Sequence, residues 1–395
     1  MKSFHFSRTP ILHFGSGSLD VLDSVLRAGN YRRVAVFTGS SSLRSGERWA
    51  SLKERLSVEG RSFAVFTVRG EPSPAFVDEA VEDLRERRPD VVIAAGGGSV
   101  MDAGKAVSAM LGEEGSVRDF LEGVGKRKPT GRKVPFIAVP TTAGTGSEAT
   151  KNAVLSSPGP DGFKKSLRHE GYIPDVAIVD PQLALGCPPE VTAASGLDAV
   201  TQLIESLVSS GATPLSDALA VDGLEHAAWG LPRAVRDGAS DIEARSAMAY
   251  AAYLSGVALA NAGLGVVHAV ASPIGGYFPV PHGVVCGTLI GEATRLLIAR
   301  CSSSGSPGEG ERLTLSKYAR AGKALTGEDA GSDEKNCERL VTRLDEWIEG
   351  FQIPRLASYG IREADLRRVA DEARLKSSPV ALTSDEIYEM LCSRR

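Results

Sequence analysis

The sequence predicts two halves of different class: an α/β half built on a doubly wound parallel sheet, then an all-helical half. Three observations carry this. Strand-like and helix-like patterns alternate from the amino terminus through VAIVDP (176–181), as in parallel βαβ units. Beyond Cys187 strand signals almost vanish, and Ala- and Leu-rich stretches of helical period take over. The length, 395 residues, exceeds one ordinary core, for which about 150 residues is the usual scale. The boundary is placed so that residues 1–186 form one domain and 187–395 the other.

In order, RRVAVFTG (32–39) reads as a buried strand stopped by glycine, and WASLKERLSVEG (49–60) as a helix with a glycine stop. RSFAVFTV (61–68) is a second strand, and PAFVDEAVEDLRERRPD (74–90) an amphipathic helix. DVVIAAGGG (90–98), SVMDAGKAVSAML (99–111) and KVPFIAVPTT (133–142) read as strand, helix and strand. SSPGPDG (156–162) is a turn between two extended segments, and VAIVDP is the last strand. The helical half contains ASGLDAVTQLIESLVSS (194–210), PLSDALAVDGLEHAAWGLPRAV (214–235), IEARSAMAYAAYLSGVALANAG (242–263) and CERLVTRLDEWIEGF (337–351). CSSSGSPGEGER (301–312) is a polar connection between helices.

Composition excludes several classes. A hydrophobic fraction of 42% and a charged fraction of 24% are ordinary for a globular chain. The net charge of −4 with dispersed Lys and Arg offers no field for nucleic acid or an anionic membrane. No apolar run approaches the ~18 residues of a membrane span, and the first residues have no signal-peptide core. The five cysteines are widely spaced without a CxxC, against a disulfide scaffold and against a thiolate zinc site. A reducing cytoplasm fits this usage.

Three segments carry chemistry. In GLGVVHAVASPIGGYFPVPHG (263–283), His268 reads as lying near the end of a small-residue apolar helix and His282 on the facing loop, fourteen residues on. Imidazole is the commonest metal-binding side chain, and two held at facing positions can share an ion. In VVIAAGGGSVMDAGKAV (91–107), Gly96 to Gly98 stand between strand and helix. They permit close backbone approach, and free N–H groups at a helix start attract phosphate. An ordinary tight βα turn fits the same glycines, with Asp102 and Lys105 as first-turn and surface charges. In PTTAGTGSEAT (140–150), hydroxyls and bare backbone crowd a strand end, where ligands bind in open α/β sheets. The two glycine- and threonine-rich segments together make the first half a Rossmann-like nucleotide-binding domain.

GGGSVMDAGK (96–105), PTTAGTGSE (140–148), DAVTQ (198–202), His268 and PHG (281–283), in this order, resemble the iron-containing (group III) alcohol dehydrogenase family. The resemblance spans nearly the whole chain, through SDEIYEML (384–391). It implies the two-domain, dehydroquinate synthase-like architecture and a metal-dependent NAD(P)(H) oxidoreductase that interconverts a small alcohol with its aldehyde or ketone. It assigns Gly97, Gly98, Ser99 and Asp102 to the pyrophosphate and nicotinamide-side ribose. Thr141, Thr142 and Thr145 line the cofactor cleft, and Lys164, with Lys165 beside it, matches a cofactor-contacting lysine. Asp198, Gln202, His268 and His282 are the implied ligands of one divalent ion, Fe2+ or Zn2+. Asp198, His268 and His282 thereby carry catalysis, and a homodimer is implied.

Two positions depart from the family pattern. Gln202 replaces the usual histidine four residues after the aspartate; an amide oxygen is a poorer donor, although three strong ligands suffice for a catalytic zinc. Ser272 stands where many members carry a proton-relaying histidine, and serine is no general base near neutral pH. Glu205, seven after Asp198, suits a hydrogen-bonding partner behind a ligand. Cys286 is expected to pack in the core. For the adenine ribose, Gly39 ends its strand without a carboxylate and is followed by Ser40, Ser41 and Ser42, with Arg44 nearby. An acidic residue there would repel a 2′-phosphate, so NADP(H) is favoured over NAD(H); a neutral turn that accepts both is the alternative. Competing functional readings are a dehydroquinate synthase-like lyase, a metal-free reductase of the maleylacetate reductase kind, and a nucleotide-binding protein with a decayed site.

Overall fold

A computed structural model describes residues 3–40, 47–58, 60–303 and 307–395. Ser41, Ser42 and Arg44 of the ribose expectation lie outside the described residues.

The first half contains β1 (Ile11–Phe14), α1 (Leu22–Ala28), β2 (Arg33–Gly39), α2 (Glu47–Leu56), β3 (Ser62–Val68), α3 (Pro74–Arg87), β4 (Val91–Gly96), α4 (Gly98–Met110), β5 (Phe136–Pro140), β6 (Asn152–Ser157), β7 (Phe163–Arg168) and β8 (Val176–Val179). The main sheet has the order β1-β8-β5-β4-β2-β3, and its neighbours pair in parallel. β4 and β5 are buried throughout, which is why they read as unbroken apolar runs and not as alternation. The pleat divides β2 between two cores. Ala35 and Phe37 pack with α3 and α4 on one face. Val34 and Val36 pack with α1 and α2 on the other. The sheet is therefore doubly wound.

The chain places β3 on one side of β2 and β4 on the other. Strand order reverses there, and the crevice outside the carboxyl ends of β2 and β4 is the expected ligand position. β6 and β7 form a separate antiparallel hairpin around the predicted turn. β1 and α1 had no clear signal in the sequence. β1 is an exposed edge strand, so it lacks the apolar run of its neighbours.

The second half contains α5 (Pro189–Val208), α6 (Pro214–Asp237), α7 (Ile242–Ala262), α8 (Val266–Tyr277), α9 (His282–Ser302), α10 (Glu309–Thr326), α11 (Asp333–Gly350), α12 (Glu363–Glu372) and α13 (Ser384–Ser393). α9 and α10 extend into both ends of the predicted 301–312 connection. α5 is the central helix, buried at every residue from Gly196 to Val208. It carries Asp198, Gln202 and Glu205 into the interior, where each needs a partner to offset lost hydration. Among the described residues no single helix is long and apolar enough to cross a membrane; α7 and α8 together are, but meet at 99°.

Candidate functional site

Four donor atoms converge between α5, α8 and α9. Asp198 comes from α5, His268 from the first turn of α8, and His282 and Cys286 from the first turns of α9. His268 thus stands at the start of its helix and not near the end, and His282 opens a helix where a loop was expected. One ligand atom from each lies within 4.8 Å of all the others. His268 Nε2 is 3.3 Å and His282 Nε2 is 3.7 Å from Asp198 Oδ1. Cys286 Sγ stands 3.7 Å from both imidazole Nε2 atoms. On the far side of His268, Nδ1 meets Glu205 Oε2 at 2.7 Å, while Glu205 Oε1 accepts the Val267 amide at 2.7 Å. This carboxylate keeps the proton on Nδ1 and turns the Nε2 lone pair toward the cluster, the arrangement a ligating histidine requires.

The buried charges perturb one another: against the effect of burial, Cys286, Asp198 and Glu205 hold His268 well above the ordinary imidazole value. Burial opposes ionisation of Asp198, but His282 and His268 outweigh it and hold the carboxyl at about 2. Burial pushes His282 down to about 4 and the Cys286 thiol up to about 12. Asp198 Oδ1 is buried without a hydrogen-bond partner. A buried anionic oxygen in that state is costly, and a divalent cation among these donors would satisfy it. The residues present therefore fit a metal.

Of the four ligands implied by the resemblance, the structure brings three together. Gln202 is directed elsewhere: its Oε1 accepts Ser255 Oγ at 2.8 Å. Cys286, expected as core packing, is indeed buried, but its sulfur faces the two imidazoles. The available signal was the four-residue step from His282, which puts both on one helix face. Ser272 donates to the Lys164 carbonyl at 2.8 Å, tying α8 to β7. Lys164 points inward, buried, with its Nζ 2.6 Å from Glu71 Oε1, and Lys165 points outward. Its charge is near enough to disfavour protonation of His282.

The two glycine- and threonine-rich segments face each other at the sheet's carboxyl edge. A Cβ on Gly97 would lie 3.3 Å from Thr142 Oγ1, and one on Gly98 only 2.6 Å from Thr145 Cγ2. α4 starts at Gly98 with no side chain capping it, so its first N–H groups point into the crevice. Gly39 lies beside the same helix start, its Cβ position 4.0 Å from Val100. Lys105 is not a surface charge: it is 1% exposed. Its ammonium donates to Ser147 O (2.6 Å), Ser147 Oγ (3.0 Å), Thr150 Oγ1 (2.9 Å) and Asn152 O (2.9 Å). Ser147 Oγ in turn donates to Asp102 Oδ1 at 2.7 Å. The βα turn and the threonine loop are thus one bonded unit.

A family profile described as "Iron-containing alcohol dehydrogenase" matches residues 9–181, and one described as "Fe-containing alcohol dehydrogenase family, C-terminal" matches residues 192–394. The chain belongs to the iron-containing alcohol dehydrogenase family. It is 34% identical over 386 residues to long-chain-alcohol dehydrogenase 1 of Geobacillus thermodenitrificans, covering 96% of this chain and 93% of that one. It is 31% identical to the NAD-dependent methanol dehydrogenase of Bacillus methanolicus, covering 98% of each. The crystal structure of a 1,3-propanediol oxidoreductase superposes with a TM-score of 0.85 at 28% identity, covering 100% of both chains. Membership makes the chain an oxidoreductase that interconverts alcohols with aldehydes or ketones, and implies a divalent metal and a nicotinamide cofactor. Nothing in these matches supports the lyase alternative.

Proposed function

We propose that the protein transfers a hydride between a small alcohol carbon and NADP(H) in the β2–β4 crevice. One divalent ion, Fe2+ or Zn2+, is held by Asp198, His268 and His282. The carrying observation is the convergence of these three donors around a buried carboxylate oxygen that has no hydrogen-bond partner. When bound, the ion supplies a Lewis acid that favours negative charge on the substrate oxygen.

The chain's own groups do the rest. Asp198 supplies the fixed negative charge, and Glu205 holds the proton on His268 Nδ1. Gly97, Gly98 and Ser99 offer backbone N–H groups to the pyrophosphate, and Thr141, Thr142 and Thr145 form the opposite wall. Asp102 stands between the ribose position and Ser147. Lys164, fixed by Glu71, keeps a cation at the edge of the site. Ser272 moves no proton, because its hydroxyl is spent on the Lys164 carbonyl. The proton would have to leave by a group other than Ser272.

The preference for NADP(H) rests on Gly39 and Ser40, which place no carboxylate beside the adenine ribose. Small alcohols and aldehydes are the substrates. The free cysteines fit a reducing cytoplasm, and the exposed apolar side chains of edge strand β1 (Ile11, Leu12 and Phe14) suit the contact of a homodimer.

The test is oxidation of NADPH and NADH with an aldehyde panel, before and after chelation. Turnover should favour NADPH, vanish with chelator and return with Fe2+ or Zn2+. Absence of turnover in every reconstituted sample refutes the reading. Gly39→Asp should shift kcat/KM toward NADH; an unchanged ratio removes Gly39 from the ribose site.

A further inference from the structure

Cys286 lies outside the ligand set that the family resemblance assigns, yet its sulfur completes the donor cluster. We infer that Cys286 is the fourth protein ligand of the ion, so that one carboxylate, two imidazoles and one thiolate hold it, with Gln202 outside the coordination sphere and the substrate oxygen entering as a fifth donor. The inference rests on the metal centre proposed above.

The distances carry it. Tetrahedral bonds of about 2.0–2.1 Å to nitrogen or oxygen and about 2.3 Å to sulfur require edges near 3.3 Å between N and O and near 3.6 Å between N and S. The two N–O edges here are 3.3 and 3.7 Å, and both N–S edges are 3.7 Å. Cys286 Sγ is equally far from the two imidazole Nε2 atoms, at the N–S edge a shared ion would set. Asp198 Oδ1, buried and unpartnered, faces the same point. Gln202 offers no competing donor, since its oxygen is engaged by Ser255 on α7.

Charge favours the thiolate. A divalent cation with Asp198 and a Cys286 thiolate forms a neutral cluster. With Gln202 in place of the thiolate, one positive charge would stay buried beside α5. Binding releases the Cys286 proton to solvent, one per ion, as the sulfur–metal bond forms. The softer donor moves the site's preference from Fe2+ toward Zn2+.

The test is cobalt substitution of the full-length protein. Co2+ bound by a thiolate shows an intense sulfur-to-metal charge-transfer absorption in the near ultraviolet. The wild type should show it, Cys286→Ala should lose it, and Gln202→Ala should keep it. Zinc affinity should fall at least about tenfold in Cys286→Ala and stay unchanged in Gln202→Ala. X-ray absorption of the zinc-loaded wild type should find one sulfur at about 2.3 Å, a reading that needs no variant to fold. Metal uptake without a sulfur signature, or a band that survives Cys286→Ala, overturns Cys286 as ligand and leaves the other three. Failure to take up cobalt or zinc at all overturns the metal centre and this inference with it.

Discussion

Glu205 accepts from the Val267 amide and from His268 Nδ1, and so decides which imidazole nitrogen is free. Glu205→Gln presents an amide N–H to Nδ1 and drives the proton to Nε2, the atom that faces the cluster. Zinc affinity should fall about 10–100-fold with dinucleotide affinity unchanged; a metal titration that matches wild type would remove Glu205 from this role. His268→Ala should abolish both bound metal and turnover, and full metal stoichiometry in the variant would contradict the assignment. A second residue has a pH signature. Burial pushes Glu148 up to about 7 from an ordinary 4.5, against its own backbone amide and Lys105. Because the folded value is raised, its contribution to stability is complete below pH 4.5 and is lost as pH rises through about 7. Glu148→Gln should therefore gain on wild type across that window, by up to about 3 kcal/mol in denaturant unfolding; a difference that does not vary with pH would refute it. At this scale the His268 and His282 pair was legible, because imidazole announces metal chemistry by type; Asp198 came only from the family resemblance. Cys286 was read as core packing: its four-residue step from His282 signals a shared helix face only once His282 is known to open α9.

At the scale of elements, the βα turn and the threonine loop act as a pair. Gly98 has no side chain because Thr145 occupies that space. Gly98→Ala must displace Thr145 and narrow the crevice, an overpacking of about 1–3 kcal/mol. Dinucleotide should bind about tenfold more weakly while metal content stays at wild-type level; unaltered cofactor affinity would place the phosphates elsewhere. Both elements could be read locally from Gly, Thr and the flanking apolar strands. β1 could not, since among the described residues its strand partner is β8, far along the chain. The inward turn of Lys164 also depended on hairpin register, which a one-residue slip would reverse.

At the scale of the molecule, the threonine loop wedges against the helical half. Gly146 has φ +59°, and a Cβ there would lie 2.5 Å from Gly256 Cα on α7. Gly256→Ala would meet the Gly146 carbonyl at 2.2 Å, and backbone cannot swing aside as a side chain can. The substitution should lower the thermal midpoint and weaken cofactor and metal binding together, because one contact joins both sites; loss of only one would show that the halves respond separately. The sequence by itself determined the α/β-then-helical order, the two glycine- and threonine-rich segments and the histidine pair, since periodicity, glycine placement and residue chemistry are local properties; Asp198 joined them only through the family resemblance. Only the tertiary structure decided that Gln202 turns to Ser255, that Lys105 is a buried tie, and that a cysteine joins His268 and His282. Those outcomes depend on which helices meet around α5 and in what register, and distances between helices are not written in any one of them.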